Sequence, residues 1–217
     1  MKIFLLFFST QLFLLTGFEL KAQTTEKGFK ILFDGTNLDQ WVGNKVDYVI
    51  ENGVLALHPE NNGGGNIFTK KEYGNFDFRF EFKLTPGANN GVGIRAPLEG
   101  DAAYVGMEIQ ILDDDADMYK DLHDYQFHGS VYGVIAAKRG FLKPTGEWNS
   151  EQIIAKGNQV KVILNGTTIL DADIAKAAEN ETPDHEKHPG LKNKEGHIGF
   201  LWHKSPLQFR NIRVREL

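Results

Sequence analysis

The chain has 217 residues, a formal net charge of −5 and no cysteine. A mildly acidic balance without a basic stripe leaves no electrostatic footprint for nucleic acid, and the missing cysteines exclude both a disulfide framework and a lipid-modified cysteine. With 23 glycines, 16 phenylalanines and few helical periodicities, the composition points to one large all-β domain.

Residues 1–22 read as a secretory signal: Lys2 is the basic start, residues 3–15 are overwhelmingly apolar, and KAQ is a small-residue exit with cleavage expected after Ala22. The apolar run is too short to span a bilayer comfortably, so no stable membrane insertion is expected after its removal. Loss of Lys2, Glu19 and Lys21 moves the charge from −5 to −6. Residues 23–217 then form a single periplasmic or secreted domain that relies on its core alone for stability.

Residues 30–33 are the first expected strand. Asn52-Gly53 separates the apolar runs YVI and VLAL, a hairpin signal because both residues tolerate the positive φ of a primed turn. Residues 76–84, FDFRFEFKL, alternate Phe76, Phe78, Phe80, Phe82 and Leu84 with charged residues, as a half-buried antiparallel strand does. In residues 91–95, GVGIR, period two puts Gly91, Gly93 and Arg95 on a common face. Residues 104–113, YVGMEIQILD, send Met107, Ile109 and Ile111 one way and Glu108 and Gln110 the other. A carboxylate, a carboxamide and a guanidinium over a floor lowered by glycines suit a hydroxyl-rich ligand; a solvated outer sheet face fits the same pattern.

Residues 113–143 form a long excursion rich in side-chain chemistry. Asp113, Asp115 and Asp117 resemble the first half of a calcium loop, but Met118 stands where the glycine belongs and Asp124 where the glutamate belongs. Asp113 and Asp115 are thus weak metal candidates beside the simpler reading of a solvated acidic turn. His128 and Tyr132 bring an imidazole and a phenol within reach of Glu108 and can move a proton at neutral pH if suitably buried; each histidine of the loop equally suits a hydrogen bond to its own backbone. Lys143, Glu147, Trp148 and Asn149 follow at a loop-to-sheet junction, where an indole beside a carboxylate suits a saccharide or plugs the rim of a sandwich. Asn165-Gly166 marks a second hairpin, residues 171–180 a short helix, and residues 196–200 and 209–217 the last strands, the final one pairing near the first. His203 follows the strand GFLW at its end.

The ordered set FKILFDGTNLDQW, GVGIR, YVGMEIQILDD, SVYGV, KPTGEWN, VILNG and IGFLWHKSPLQFRNIRVREL resembles the 3-keto-disaccharide hydrolase family, formerly domain of unknown function 1080, from Gly28 to Leu217. The resemblance implies a concanavalin A-like jelly-roll sandwich of two antiparallel sheets with elaborated loops, exported by bacteria and acting on glycosides oxidised to a ketone at C3. It also implies an upstream sugar 3-dehydrogenase as partner. A 3-keto group acidifies the C2 hydrogen, so a base can abstract it, the enolate can expel the C1 substituent and water can add. Glu108 or His128 is the candidate base, Arg95 or a divalent cation the enolate stabiliser, and Tyr132 or His203 the leaving-group acid. Gln110, Lys143, Glu147, Trp148 and Asn149 are candidate substrate contacts. Two other readings stand beside it: hydrolysis by the carboxylates of Glu108 and Glu147, and a non-catalytic carbohydrate-binding module.

Overall fold

The computed structural model describes residues 26–179 and 181–217; the signal expected over residues 1–22 lies outside them. In chain order the strands are β1 Lys30–Phe33, β2 Trp41–Gly43, β3 Tyr48–Glu51, β4 Val54–Leu57, β5 Ile67–Thr69, β6 Phe76–Leu84, β7 Asn89–Ala96, β8 Met107–Leu112, β9 Trp148–Lys156, β10 Gln159–Leu164, β11 Thr167–Asp173, β12 His197–Leu201 and β13 Leu207–Glu216. Two one-turn helices, α1 Ala102–Val105 and α2 Ile174–Ala177, interrupt them. One sheet has eight strands in the order β11-β10-β9-β6-β13-β4-β3 with β1 also on β13, and the other has five in the order β2-β5-β12-β7-β8. Every pairing is antiparallel, and the two sheets make a jelly-roll sandwich. Among the described residues no helix is long and apolar enough to cross a membrane.

The alternation of β6 drives the packing. Phe76, Phe78, Phe80 and Phe82 are all buried inward, where Phe200 of β12 stacks on Phe209 of β13 at 3.8 Å and meets Phe80 edge-on at 5.5 Å. From the facing sheet, Val92, Ile94, Met107, Ile109 and Ile111 complete the same core. The four β6 phenylalanines alone contribute roughly 6–12 kcal/mol of burial, an upper bound because the unfolded chain already hides part of that area.

Both Asn-Gly hairpins form, with φ of 50° and 77° at Asn52-Gly53 and 50° and 86° at Asn165-Gly166, and the first strand pairs with the last. Three local expectations change. Residues 104–105 are helical because the Asp101 side chain accepts the Ala103 amide at 3.1 Å and caps α1, so β8 starts only at Met107. The expected helix over 171–180 shrinks to α2, since β11 runs on to Asp173, which then serves as its cap. Arg95 has φ of 47°, which breaks the period-two pattern at the end of β7 and takes its side chain off the face of Gly91 and Gly93.

Candidate active site

The outer face of the five-stranded sheet is built on the register of β7 against β8, which sets Gly91 opposite Gln110 and Gly93 opposite Glu108. The glycines do not leave an empty floor. A Cβ at residue 91 would fall 2.0 Å from Glu108 Oε1, so the missing side chain is the space that the Glu108 carboxylate occupies. Above Gly93 lie Leu201, Phe68 and Ala102, the last carried there by α1.

Leaning over Gly91 brings Glu108 to the end of β12, where His203 Nε2 lies 3.1 Å from Glu108 Oε1. Access differs sharply within this pair: the Glu108 side chain is 4% exposed and that of His203 38%. Burial works against a charged imidazole, but the hydrogen-bonded Glu108 carboxylate, with Asp101 as a further negative charge, holds the His203 pKa above the ordinary histidine value.

On the other side of β8 the chain returns as a partial extra strand. Gln110 N donates to Ser130 O at 3.0 Å, Gly129 N to Gln110 O at 2.8 Å and Tyr132 N to Glu108 O at 3.0 Å, with Ile109 bridged to Val131. Tyr132 is therefore the cross-strand neighbour of Glu108 on the same face, where opposed Cβ atoms are about 5 Å apart. This returning segment buries Gln110, whose Nε2 donates to Asn89 Oδ1 at 3.1 Å. Of the expected residues, the structure thus gathers Glu108, Gln110, Tyr132 and His203.

The others lie elsewhere. His128 points into the sandwich, packed on the Phe82 ring at 5.2 Å with Nε2 3.2 Å from Glu151 Oε2. Its amide donates to Asp114 Oδ1 at 2.9 Å, a carboxyl that burial pushes above the usual aspartate value. Arg95 is buried and spends its guanidinium on the carbonyls of Gly74, Gly157 and Asn193, at 2.9, 2.9 and 3.4 Å, tying loop ends together. Trp148 is on the outer face of the eight-stranded sheet, with Lys83 and Arg210 at 5.1 and 4.0 Å from its ring. Beside it, Lys143 Nζ donates to Trp148 O at 2.9 Å, buried Asn149 Oδ1 accepts from Lys143 N and Asn165 Nδ2, and Glu147 is exposed. Asp113 Oδ2 accepts the Gly87 amide at 2.8 Å and Asp115 is exposed. Among the described residues no group of three or more His, Asp or Glu side chains is arranged to hold a metal ion.

Two residues beside the site are not singled out by sequence pattern as functional. Asp101 is signalled only by its place before a helical turn, as a cap. Gln126 is signalled only by its position three residues after His123, the spacing of a capping box.

A sequence model described as the 3-keto-alpha-glucoside-1,2-lyase-like domain matches residues 28–215. A Bacteroides thetaiotaomicron protein named 3-keto-disaccharide hydrolase is 27% identical over 230 residues, spanning 88% of this chain and 79% of that protein. A crystal structure of a candidate glycosyl hydrolase from Parabacteroides distasonis superposes with a TM-score of 0.76 at 31% identity, covering 87% of this chain and 99% of the other. A second from the same organism gives 0.70 at 26% identity, covering 88% and 94%.

Proposed function

We propose, from the premise that this chain belongs to the 3-keto-alpha-glucoside-1,2-lyase-like family, that it cleaves the glycosidic bond of 3-keto-disaccharides with Glu108 as base and His203 as acid. The contact that carries this reading is the one between the shielded Glu108 carboxylate and the accessible, charge-favouring imidazole of His203. Glu108 takes the proton from C2, and the electron pair of that bond enters the C2–C3 enolate. As the ketone re-forms, the C1–O bond breaks, its electron pair leaves with the glycosidic oxygen, and His203 protonates that oxygen. Water then adds across C1 and C2: neutral His203 takes a proton from the water that attacks C1, and protonated Glu108 returns one to C2. The net reaction is hydrolysis, and both groups end as they began.

Conventional hydrolysis needs a second carboxylate opposed to Glu108. Glu147 does not supply it, because it adjoins Trp148 on the far sheet. A non-catalytic sugar-binding module would have little use for an acid and base held 3.1 Å apart. The requirement for a C3 ketone implies an oxidoreductase that makes the substrate. The charged start and apolar run of residues 1–22 support an enzyme at work outside the cytoplasm once they are removed.

The test is product analysis after incubation of the purified protein with 3-keto-trehalose, a 3-keto-glucoside and their unoxidised counterparts. Release of 3-keto-glucose from the oxidised substrates alone is the expected result. Release from the unoxidised sugars, or from none, contradicts the reading.

A further inference from the structure

The hydrogen bonds around Tyr132 have a defined direction. Residues 124–126 form a short 3-10 turn after His123, and Gln126 Oε1 accepts the His123 amide at 3.1 Å. A backbone N–H can be met only by an acceptor, so the carboxamide oxygen must face His123 and its NH2 must face the other way. That NH2 lies 3.1 Å from the Tyr132 hydroxyl oxygen. Carrying hydrogens only, it forces the phenol to accept, and the single phenol proton is left over. Tyr125 meets the Tyr132 ring edge-to-face at 6.4 Å, and the Tyr132 amide donates to Glu108 O, which makes Tyr132 the cross-strand neighbour of Glu108 on the same face.

We infer that Gln126 is a positioning residue that fixes the hydrogen-bonding sense of Tyr132, so that the phenol donates its proton as a hydrogen bond to the sugar oxygen that gains charge, the C3 oxygen of the enolate. This rests on the reading of Glu108 as the base that creates that enolate. It fills the role that Arg95 cannot take, because three backbone carbonyls occupy its guanidinium. No proton is transferred; the donor is aimed before the charge develops, which is how preorganised donors act in enzymes.

Gln126→Glu tests it directly. A carboxylate at 126 still accepts the His123 amide but cannot donate, so it captures the phenol proton and withholds it from the sugar. Assayed on a 3-keto-disaccharide, kcat should fall about 10² fold, the loss typical of one missing oxyanion donor, with KM and thermal midpoint little changed. Activity should recover as pH falls and the new carboxyl takes up a proton with which it can donate again. The titratable groups around the position, His123, Asp124 and Tyr125 on the same turn, Tyr132, its cross-strand neighbour Glu108, and Tyr104 and Asp184, which act electrostatically on these tyrosines, are shared with the wild type. The difference between the two pH profiles therefore reports the new carboxyl. In a Tyr132→Phe background the same change should add nothing.

Gln126→Met separates this from a structural role: it frees the phenol to rotate, and its loss should be only about 3-fold, well short of that of the glutamate variant. Equal losses in the methionine and glutamate variants, or an undiminished effect of Gln126→Glu without the phenol, would overturn the inference. So would wild-type kcat in Gln126→Glu while Glu108→Gln is inactive, a result that leaves the base assignment standing. If Glu108→Gln itself keeps full turnover, it is the reading of the site that fails.

Discussion

Two glutamate–histidine pairs of nearly equal separation occupy different places in the sandwich. Glu108 and His203, 3.1 Å apart, sit on the outer face of the five-stranded sheet with the imidazole 38% exposed. Glu151 and His128, 3.2 Å apart, are sealed between the sheets with side chains 0% and 1% exposed. The chemistry of the side chains is the same. What separates a candidate site from a buried pair is strand parity and a missing Cβ: Glu151 alternates inward with Ile153 and Ala155 on β9, whereas Glu108 faces outward into the space that Gly91 leaves. Access for a substrate is therefore a property of register, not of residue type.

The comparison can be broken at either pair. Glu108→Gln should lower kcat on a 3-keto-disaccharide by about 10³ fold in steady-state assays, within the usual range for a general base, while leaving the thermal midpoint nearly unchanged. Glu151→Ala should do the reverse. Leaving the buried His128 ring without its polar neighbour should cost about 1–3 kcal/mol in chemical denaturation, yet the protein that remains folded should cleave substrate at close to the wild-type rate. Equal kcat losses in the two variants would erase the distinction.

Gly91→Ala addresses the geometry itself. Its Cβ would stand 2.0 Å from Glu108 Oε1, so the carboxylate must move, and a displacement of that size should lower kcat about 10² fold without removing any catalytic group. His203→Gln should cost less, about 30-fold, because an amide can still hydrogen-bond the leaving oxygen. It should also abolish the alkaline limb of the pH–rate profile. In the wild type that limb should lie above the ordinary imidazole range, since the hydrogen-bonded Glu108 carboxylate, outweighing burial, holds the His203 pKa above its usual value. The same raised pKa sets the sign for stability: the His203 contribution is complete below about pH 6.5 and is lost as pH rises through the folded-state value.

Much of the frame was legible because it is written locally. The alternation of β6 and β8, the two Asn-Gly turns and the pairing of the first strand with the last all follow from period two and turn chemistry, and so did the choice of Glu108 and Gln110 as outward residues. Tyr132 could be set within reach of Glu108 but not assigned a pairing, because that depends on the returning loop, and His203 could be named but not joined to them, because its position depends on the register of β12. Arg95 misled because one residue with positive φ reverses the face of a side chain. Trp148 and Glu147 misled because the sequence does not say which sheet a loop-to-strand junction will join. His128 misled because the loop that carries it turns inward to meet Glu151, a contact 23 residues away along the chain.

The central claim is that Glu108 removes a proton from C2. The direct measurement is turnover of a 3-keto-disaccharide in deuterium oxide, with the released 3-keto-glucose examined by NMR for deuterium at C2 and compared with the Glu108→Gln protein and an enzyme-free control. Enzyme-dependent incorporation at C2 that vanishes with Glu108→Gln is the expected result; incorporation at the wild-type level by the Glu108→Gln protein would contradict the account.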